Sequence, residues 1–257
     1  MNYKFRVGLL DSGIGGFSLL KELVLLRPTK IAVEWDYIAD DRFAPYGSLP
    51  PAQVRERTLL LGEELISRGA DLVVVACNTA TALGIEALRE RFPDVTFVGV
   101  EPYLNVLNRE PELVKKGGKT AVITTENMGK SPRFLALKER LDPQQKISHY
   151  CCPNLASLIE EAFFQSLVGE AGQQWLESVD AECAFLQERD YKQVILGCTH
   201  YPLMAEYFRR RLQIFPISPC QHVARRVYNR LAPDWQLSPS RTETVESIVG
   251  DEKFCFK

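Results

Sequence analysis

Short apolar, β-branched runs alternate along this chain with amphipathic stretches of helical length. Runs at 6–10, 34–39, 72–76, 96–100, 120–124, 146–150 and 193–196 predict strands. Several are continuously apolar, as in Leu72-Val73-Val74-Val75-Ala76, the pattern of parallel strands covered by helices on both faces. The stretches 17–26, 52–68, 81–92, 132–141, 155–167, 173–189, 205–212 and 223–231 predict the helices. The expected class is α/β, with mostly parallel sheets flanked by helices.

The two halves of the pattern resemble each other. Strand residues Val7 to Leu10 lead into Asp11-Ser12-Gly13, and Ala121 to Ile123 lead into Thr124-Thr125-Glu126. Later in each half Val73 to Ala76 lead into Cys77-Asn78-Thr79, and Val194 to Gly197 into Cys198-Thr199-His200. Glycines and solvated charges over 111–119, with Lys115-Lys116-Gly117-Gly118-Lys119, break the periodicity and predict a linker. Two similar α/β lobes with the active site in the cleft between them are expected. The expected division puts 1–98 and 213–257 in the first lobe and 99–212 in the second. After Trp235 the chain turns polar, over 238–246, and ends in Phe254-Cys255-Phe256, which reads as a surface tail with a docked end.

Composition narrows the function classes. Of 257 residues, 46% are apolar and 25% charged, the balance of a packed globular protein. Lys+Arg number 31 against 33 Asp+Glu, and the longest basic run is Arg209-Arg210-Arg211, so no nucleic-acid footprint is present. No stretch has the length and apolarity of a membrane span, and the first ten residues lack a signal-peptide core, so no membrane partner and a cytoplasmic location are expected. Seven cysteines without a C-x-x-C pair fit reduced thiols better than disulfides or a zinc ribbon.

Ligands of open parallel sheets bind beyond the carboxyl ends of strands, so residues that follow apolar runs are the candidates for chemistry. Asp11-Ser12-Gly13-Ile14-Gly15-Gly16 follows the first strand, but it is neither a dinucleotide G-x-G-x-x-G nor a P-loop. Cys77 and Cys198 each stand where a strand gives way to a helix, a position whose free N–H groups favour a thiolate. A phosphatase loop would need Arg where Leu83 and Met204 stand. A thiol protease would need no second strand-end thiol, and no ligand spacing supports zinc at Cys77, Cys198 and His200, so no metal is expected. Two opposed thiols suit inversion at a weakly acidic carbon, one group removing a proton and the other delivering one to the opposite face. Asp11 could assist one thiol, and His200 or a Glu the other.

Together with Ala44-Pro45-Tyr46-Gly47-Ser48, Val98-Gly99-Val100-Glu101-Pro102 and Leu196 to Leu203, these motifs resemble the cofactor-independent glutamate racemases of the aspartate/glutamate racemase superfamily. They occur in the family's order over nearly the whole chain. The resemblance implies Cys77 and Cys198 as paired acid/base thiols, with Asp11 beside Cys77 and His200 and Glu160 beside Cys198. It implies a substrate pocket of Ser12, Pro45, Tyr46, Gly47, Asn78, Thr79, Thr125 and Thr199. It also implies L- or D-glutamate as substrate, no cofactor, a homodimer, and a role in supplying D-glutamate for peptidoglycan.

The chain departs from the family pattern in three places. Met128 stands where a second threonine is usual and is expected in the pocket, where it would alter specificity. Tyr103 replaces a glycine, and Ile217-Ser218-Pro219-Cys220 replaces an Ile-Asp-Ser/Thr-Gly stretch. Racemisation of another acidic amino acid such as aspartate, or amino-acid binding without catalysis, are the alternatives. His149 and His222 lie outside the strand-end motifs and are expected to be dispensable.

Overall fold

The computed structural model describes residues 3–168 and 172–232. The expected tail, with Cys255, lies outside the described residues. In chain order the elements are β1 (Tyr3–Asp11), α1 (Phe17–Leu25), β2 (Ile31–Ala39), α2 (Pro51–Ser67), β3 (Leu72–Val75), α3 (Asn78–Arg91), β4 (Thr96–Gly99), α4 (Val106–Arg109) and α5 (Pro111–Gly117). There follow β5 (Thr120–Thr124), α6 (Glu126–Lys130), α7 (Pro132–Leu141), β6 (Ile147–Cys151), α8 (Leu155–Val168), α9 (Gln173–Glu188), β7 (Gln193–Gly197), β8 (Phe215–Ile217) and α10 (Cys220–Leu231). Among the described residues no helix is long and apolar enough to cross a membrane.

The strands form two four-stranded sheets in the orders β2-β1-β3-β4 and β6-β5-β7-β8, every pair parallel. The two orders are the same, so β1 corresponds to β5 and β3 to β7. Asp11 and Thr125 therefore leave equivalent strands, as do Cys77 and Cys198.

Alternate residues of each strand feed the two faces of its sheet. Val7, Leu9 and Val74 pack with Leu19 and Leu23 of α1 and Val227 and Tyr228 of α10. Leu10, Val73 and Val75 pack with Val54 and Leu65 of α2 and Ile85 and Leu88 of α3. In the second sheet Ala121, Ile123, Val194 and Leu196 meet α8 and α9 through Leu155, Ile159, Val179 and Leu186. Val122, Ile147, Ile195 and Ile217 meet Val106, Met128, Phe134 and Leu137. Burial on both faces is why these strands read as unbroken apolar runs.

Three expectations need correction. The span 111–119 is not a bare linker: Pro111 starts α5, with Glu112 and Lys115 paired at 3.1 Å along it, and Gly118 at φ +81° ends it. The expected helix at 205–212 is an irregular segment, a 3₁₀ turn at Tyr201–Met204 followed by a wide π-type turn at Tyr207–Arg211. Residues 213–217, expected in the first lobe, include β8, which pairs with β7 in the second sheet. The chain returns to the first lobe with α10, which packs against α1.

Candidate active site

The carboxyl ends of β1 and β3 in one sheet and β5 and β7 in the other converge on a single cluster of buried polar groups. Asp11 ends β1 fully buried. Its Oδ1 accepts the Gly13 N–H at 2.9 Å and its Oδ2 accepts the Thr199 hydroxyl at 3.1 Å from the other lobe. Burial raises the Asp11 pKa, and the charge on His200 and these two hydrogen bonds oppose the rise.

Cys77 caps α3, its sulfur accepting the Ala80 N–H at 3.5 Å. Burial, with the charge on Asp11 and that on Cys198 acting in the same direction, pushes the Cys77 thiol up to about 12, against the Ala80 N–H. It therefore holds a proton at neutral pH.

Cys198 follows β7 and faces a different environment. Its sulfur lies 3.5 Å from His200 Nδ1, and His200 Nε2 lies 2.6 Å from Glu160 Oε1. Burial disfavours a charged imidazole here, but Cys198, Glu160 and Asp11 outweigh it and raise His200 to about 10. At neutral pH the ring is an imidazolium between a sulfur and a carboxylate. Burial thus keeps the Cys77 thiol protonated, while the Cys198 sulfur lies against a charged imidazole.

The lobes are fastened together around these groups. Glu160 Oε1, on α8, also accepts the Ile14 N–H at 2.8 Å from the first lobe's glycine turn. Thr79 Oγ1 and Thr125 Oγ1 meet at 3.0 Å, and Asn127 Nδ2 donates to the Tyr46 and Leu49 carbonyls at 3.0 and 2.7 Å. A Cβ at Gly13 would lie 1.7 Å from Glu160 Oε1, so a side chain there would displace the carboxylate. Ser12 and Asn78 complete the buried cluster; Asn78 Nδ2 donates to Val100 O at 3.4 Å, while its Oδ1 has no hydrogen-bond partner.

The description Asp/Glu/hydantoin racemase belongs to a family model that matches residues 37–227. The chain belongs to this family. Among its relatives, glutamate racemase of Ectopseudomonas mendocina is 36% identical over 200 residues, covering 77% of this chain and 70% of its own. Glutamate racemase of Corynebacterium diphtheriae is 33% identical over 249 residues, covering 95% and 89%. Among solved structures, Escherichia coli glutamate racemase in complex with L-glutamate superposes with a TM-score of 0.76 at 26% identity, covering 95% of this chain and 94% of that one. Glutamate racemase isoform RacE1 of Bacillus anthracis gives 0.72 at 27% identity, covering 93% and 85%.

Within this family fold, the three departures fall away from the thiols. Met128, expected in the pocket, is instead fully buried in the core with Phe134 and Ile147. The reason is local: Thr125 caps α6 and accepts the Met128 N–H at 3.4 Å, so residue 128 turns its side chain into the layer beneath the sheet. Tyr103 lies outside the cluster, donating its hydroxyl to Glu110 at 3.0 Å and stacking on His222. Cys220 reaches the site indirectly. Ser18 Oγ donates to the Thr199 carbonyl at 2.8 Å, which leaves the Cys220 thiol to donate to Ser18 at 3.5 Å.

Sequence reasoning missed the supports behind the site. Tyr37 donates to the Gly13 carbonyl at 2.7 Å. Asp40 accepts the Tyr46 hydroxyl at 2.5 Å and both Nε and Nη2 of Arg57, at 2.7 and 2.5 Å, fixing the Pro45-Tyr46-Gly47 turn. Asp40 directly follows β2, so the strand-end rule would have found it. His149, by contrast, lies on β6, bonded to Thr124 Oγ1 at 2.8 Å and tilted against Phe134.

Proposed function

We propose that this chain interconverts L- and D-glutamate, with Cys77 and Cys198 as two bases on opposite faces of the α-carbon. The observation that carries the reading is the pair of buried thiols at the ends of equivalent strands, each beside its own acid–base partner. The glutamate racemase relatives, and the Escherichia coli structure with L-glutamate, support glutamate as the substrate.

In the L-to-D direction Cys198 acts as the base, with the His200 imidazolium 3.5 Å from its sulfur, and Cys77 acts as the acid. From L-glutamate, the Cys198 thiolate takes the Cα proton and becomes a thiol. The Cys77 thiol then gives its proton to the other face, which forms D-glutamate and leaves a thiolate at Cys77. That thiolate faces the N-terminal end of α3 and the Ala80 N–H, both of which favour negative charge. Net transfer of one proton from Cys198 to Cys77 resets the enzyme; D-glutamate runs the sequence backwards. Asp11, its pKa raised by burial, exchanges protons on the Cys77 side, and His200, oriented by Glu160, does so on the Cys198 side.

The substrate's ends have matching groups. The unpartnered Asn78 Oδ1 accepts a hydrogen bond from the α-ammonium, and the Thr79–Thr125 hydroxyls and the Thr199 hydroxyl serve the carboxylates, with Ser12 and the Pro45-Tyr46-Gly47 turn closing the pocket. The reaction moves a proton between side chains and needs no cofactor. D-Glutamate made this way serves peptidoglycan synthesis, and a homodimer is the assembly proposed by family resemblance. Met128, buried in the core, gives no support to aspartate as the preferred substrate. Circular dichroism of L-glutamate incubated with the protein tests the reading: complete loss of optical activity is expected, and a stable signal would contradict it.

A further inference from the structure

The correspondence of strands that relates the two thiols also relates two contacts between the lobes. After β1, the Ile14 N–H bonds Glu160, which lies after β6 in the other sheet. After β5, the Asn127 side chain bonds the Tyr46 and Leu49 carbonyls, which lie after β2. In the two sheet orders β1 matches β5 and β2 matches β6. Each lobe therefore reaches from the loop after its inner strand to the segment after the other's edge strand. The first contact holds the carboxylate that orients His200. The second ends on the turn that closes the substrate pocket.

Asn127 suits that contact. Its Nδ2 lies 3.0 Å from the Tyr46 carbonyl oxygen and 2.7 Å from that of Leu49, and an amide nitrogen has one hydrogen for each. Both partners are acceptors, so the nitrogen and not the oxygen faces them. The bonds hold the two ends of the 3₁₀ turn Tyr46–Ser48. Between them Gly47 presses on Thr125, where an added Cβ would lie 2.8 Å from the threonine Cβ. Thr125 in turn caps α6 and meets Thr79 at 3.0 Å. Elsewhere on α6, Met128 is buried in the core and Glu126 is paired with Lys130 at 2.8 Å, which leaves Asn127 to tie the helix to the turn.

We propose that Asn127 is a positioning residue for substrate binding, seating the Pro45-Tyr46-Gly47 turn on the second lobe so that the pocket wall is in place before glutamate arrives. The inference rests on the racemase reading above. A turn seated only part of the time lowers the apparent affinity by the fraction that is seated, because substrate must select that state. The two bonds of Asn127 involve neither thiol, nor Asp11, His200 or Glu160. Their loss therefore weakens binding and leaves proton transfer on the bound substrate close to intact. Glu160 serves the chemistry and Asn127 the affinity.

Steady-state racemisation by Asn127→Ala and Asn127→Leu, with hydrogen exchange over residues 46–49 in glutamate-free protein, tests the proposal. Asn127 is half-buried, so both variants are expected to fold. Leucine restores the volume and favours the helix but has no donor; it would rescue a space-filling role and not a hydrogen-bonding one. Both variants should raise KM about fivefold or more, keep kcat within about threefold, and exchange faster than the wild type over the turn. A KM rise below about fivefold in either variant, or a kcat loss beyond about threefold, would overturn the proposal. Unchanged exchange beside normal wild-type turnover would also overturn it, and would leave the racemase reading standing. Faster exchange in both variants of a protein that does not racemise glutamate would overturn the racemase reading and leave the seating contact.

Discussion

Glu160 Oε1 lies 2.6 Å from His200 Nε2 and in the same position accepts the Ile14 N–H at 2.8 Å. The carboxylate that orients the second lobe's imidazole is thereby bound to the first lobe's glycine turn. The contact that orients His200 and a contact between the lobes thus share one carboxylate oxygen.

Glu160→Gln keeps the shape and removes the charge. The His200 pKa should fall, since one of the partners that raise it is lost, and turnover should drop by roughly tenfold or more. The pH–rate profile and the His200 ring shifts in NMR measure both. An unchanged profile would mean that Glu160 does not set the protonation state of His200.

The same ring links stability to pH. A folded pKa of about 10, above the unfolded value of about 6.5, means that the folded state is favoured by protonated His200. That contribution is complete below about pH 6.5 and is lost as pH rises through about 10. Cys77 adds to the slope, because its thiol ionises near pH 9 when unfolded and only at about 12 when folded. Melting temperatures measured from about pH 6.5 to 9.5 should fall more steeply for the wild type than for His200→Asn. Parallel curves would contradict the assignment.

Met128→Thr puts a hydroxyl and a void into the core between α6, α7 and the second sheet. It should cost about 2 to 4 kcal/mol of stability, read from denaturant unfolding, and leave the glutamate-to-aspartate rate ratio unchanged. A changed ratio at unchanged stability would return Met128 to the pocket.

The strand ends were legible because burial on both sheet faces leaves few positions where polar residues can stand, and Asp11, Cys77, Thr125 and Cys198 stand there. β8 was not legible: three residues with Pro216 at the centre carry too little pattern, and a proline argues against a central strand. Glu160 was placed by resemblance alone, since Glu160-Glu161 on a helix reads as a solvated face. Only the fold, which brings Ile14 and His200 to it from opposite ends of the chain, makes it a buried acceptor. Met128 shows the converse limit. It was expected in the pocket, but the direction of its side chain is set by the Thr125 cap and the layer beneath.

Asn78→Ala should raise KM by more than about tenfold, the effect of losing a hydrogen bond to a charged group, with a smaller change in kcat. Unaltered KM would remove the unpartnered Asn78 oxygen from the substrate site. Steady-state rates in both directions supply the comparison.

The two-base claim is tested most directly by racemisation in D₂O with the wild type, Cys77→Ala and Cys198→Ala. Early wild-type product should carry deuterium at Cα while the remaining substrate carries little, because the proton taken by one thiol is not the one delivered by the other. Each single variant should lose racemisation, and any Cα exchange that survives should favour D-glutamate where Cys77 remains and L-glutamate where Cys198 remains. Undeuterated early product, or full racemisation by either variant, would contradict two opposed thiols.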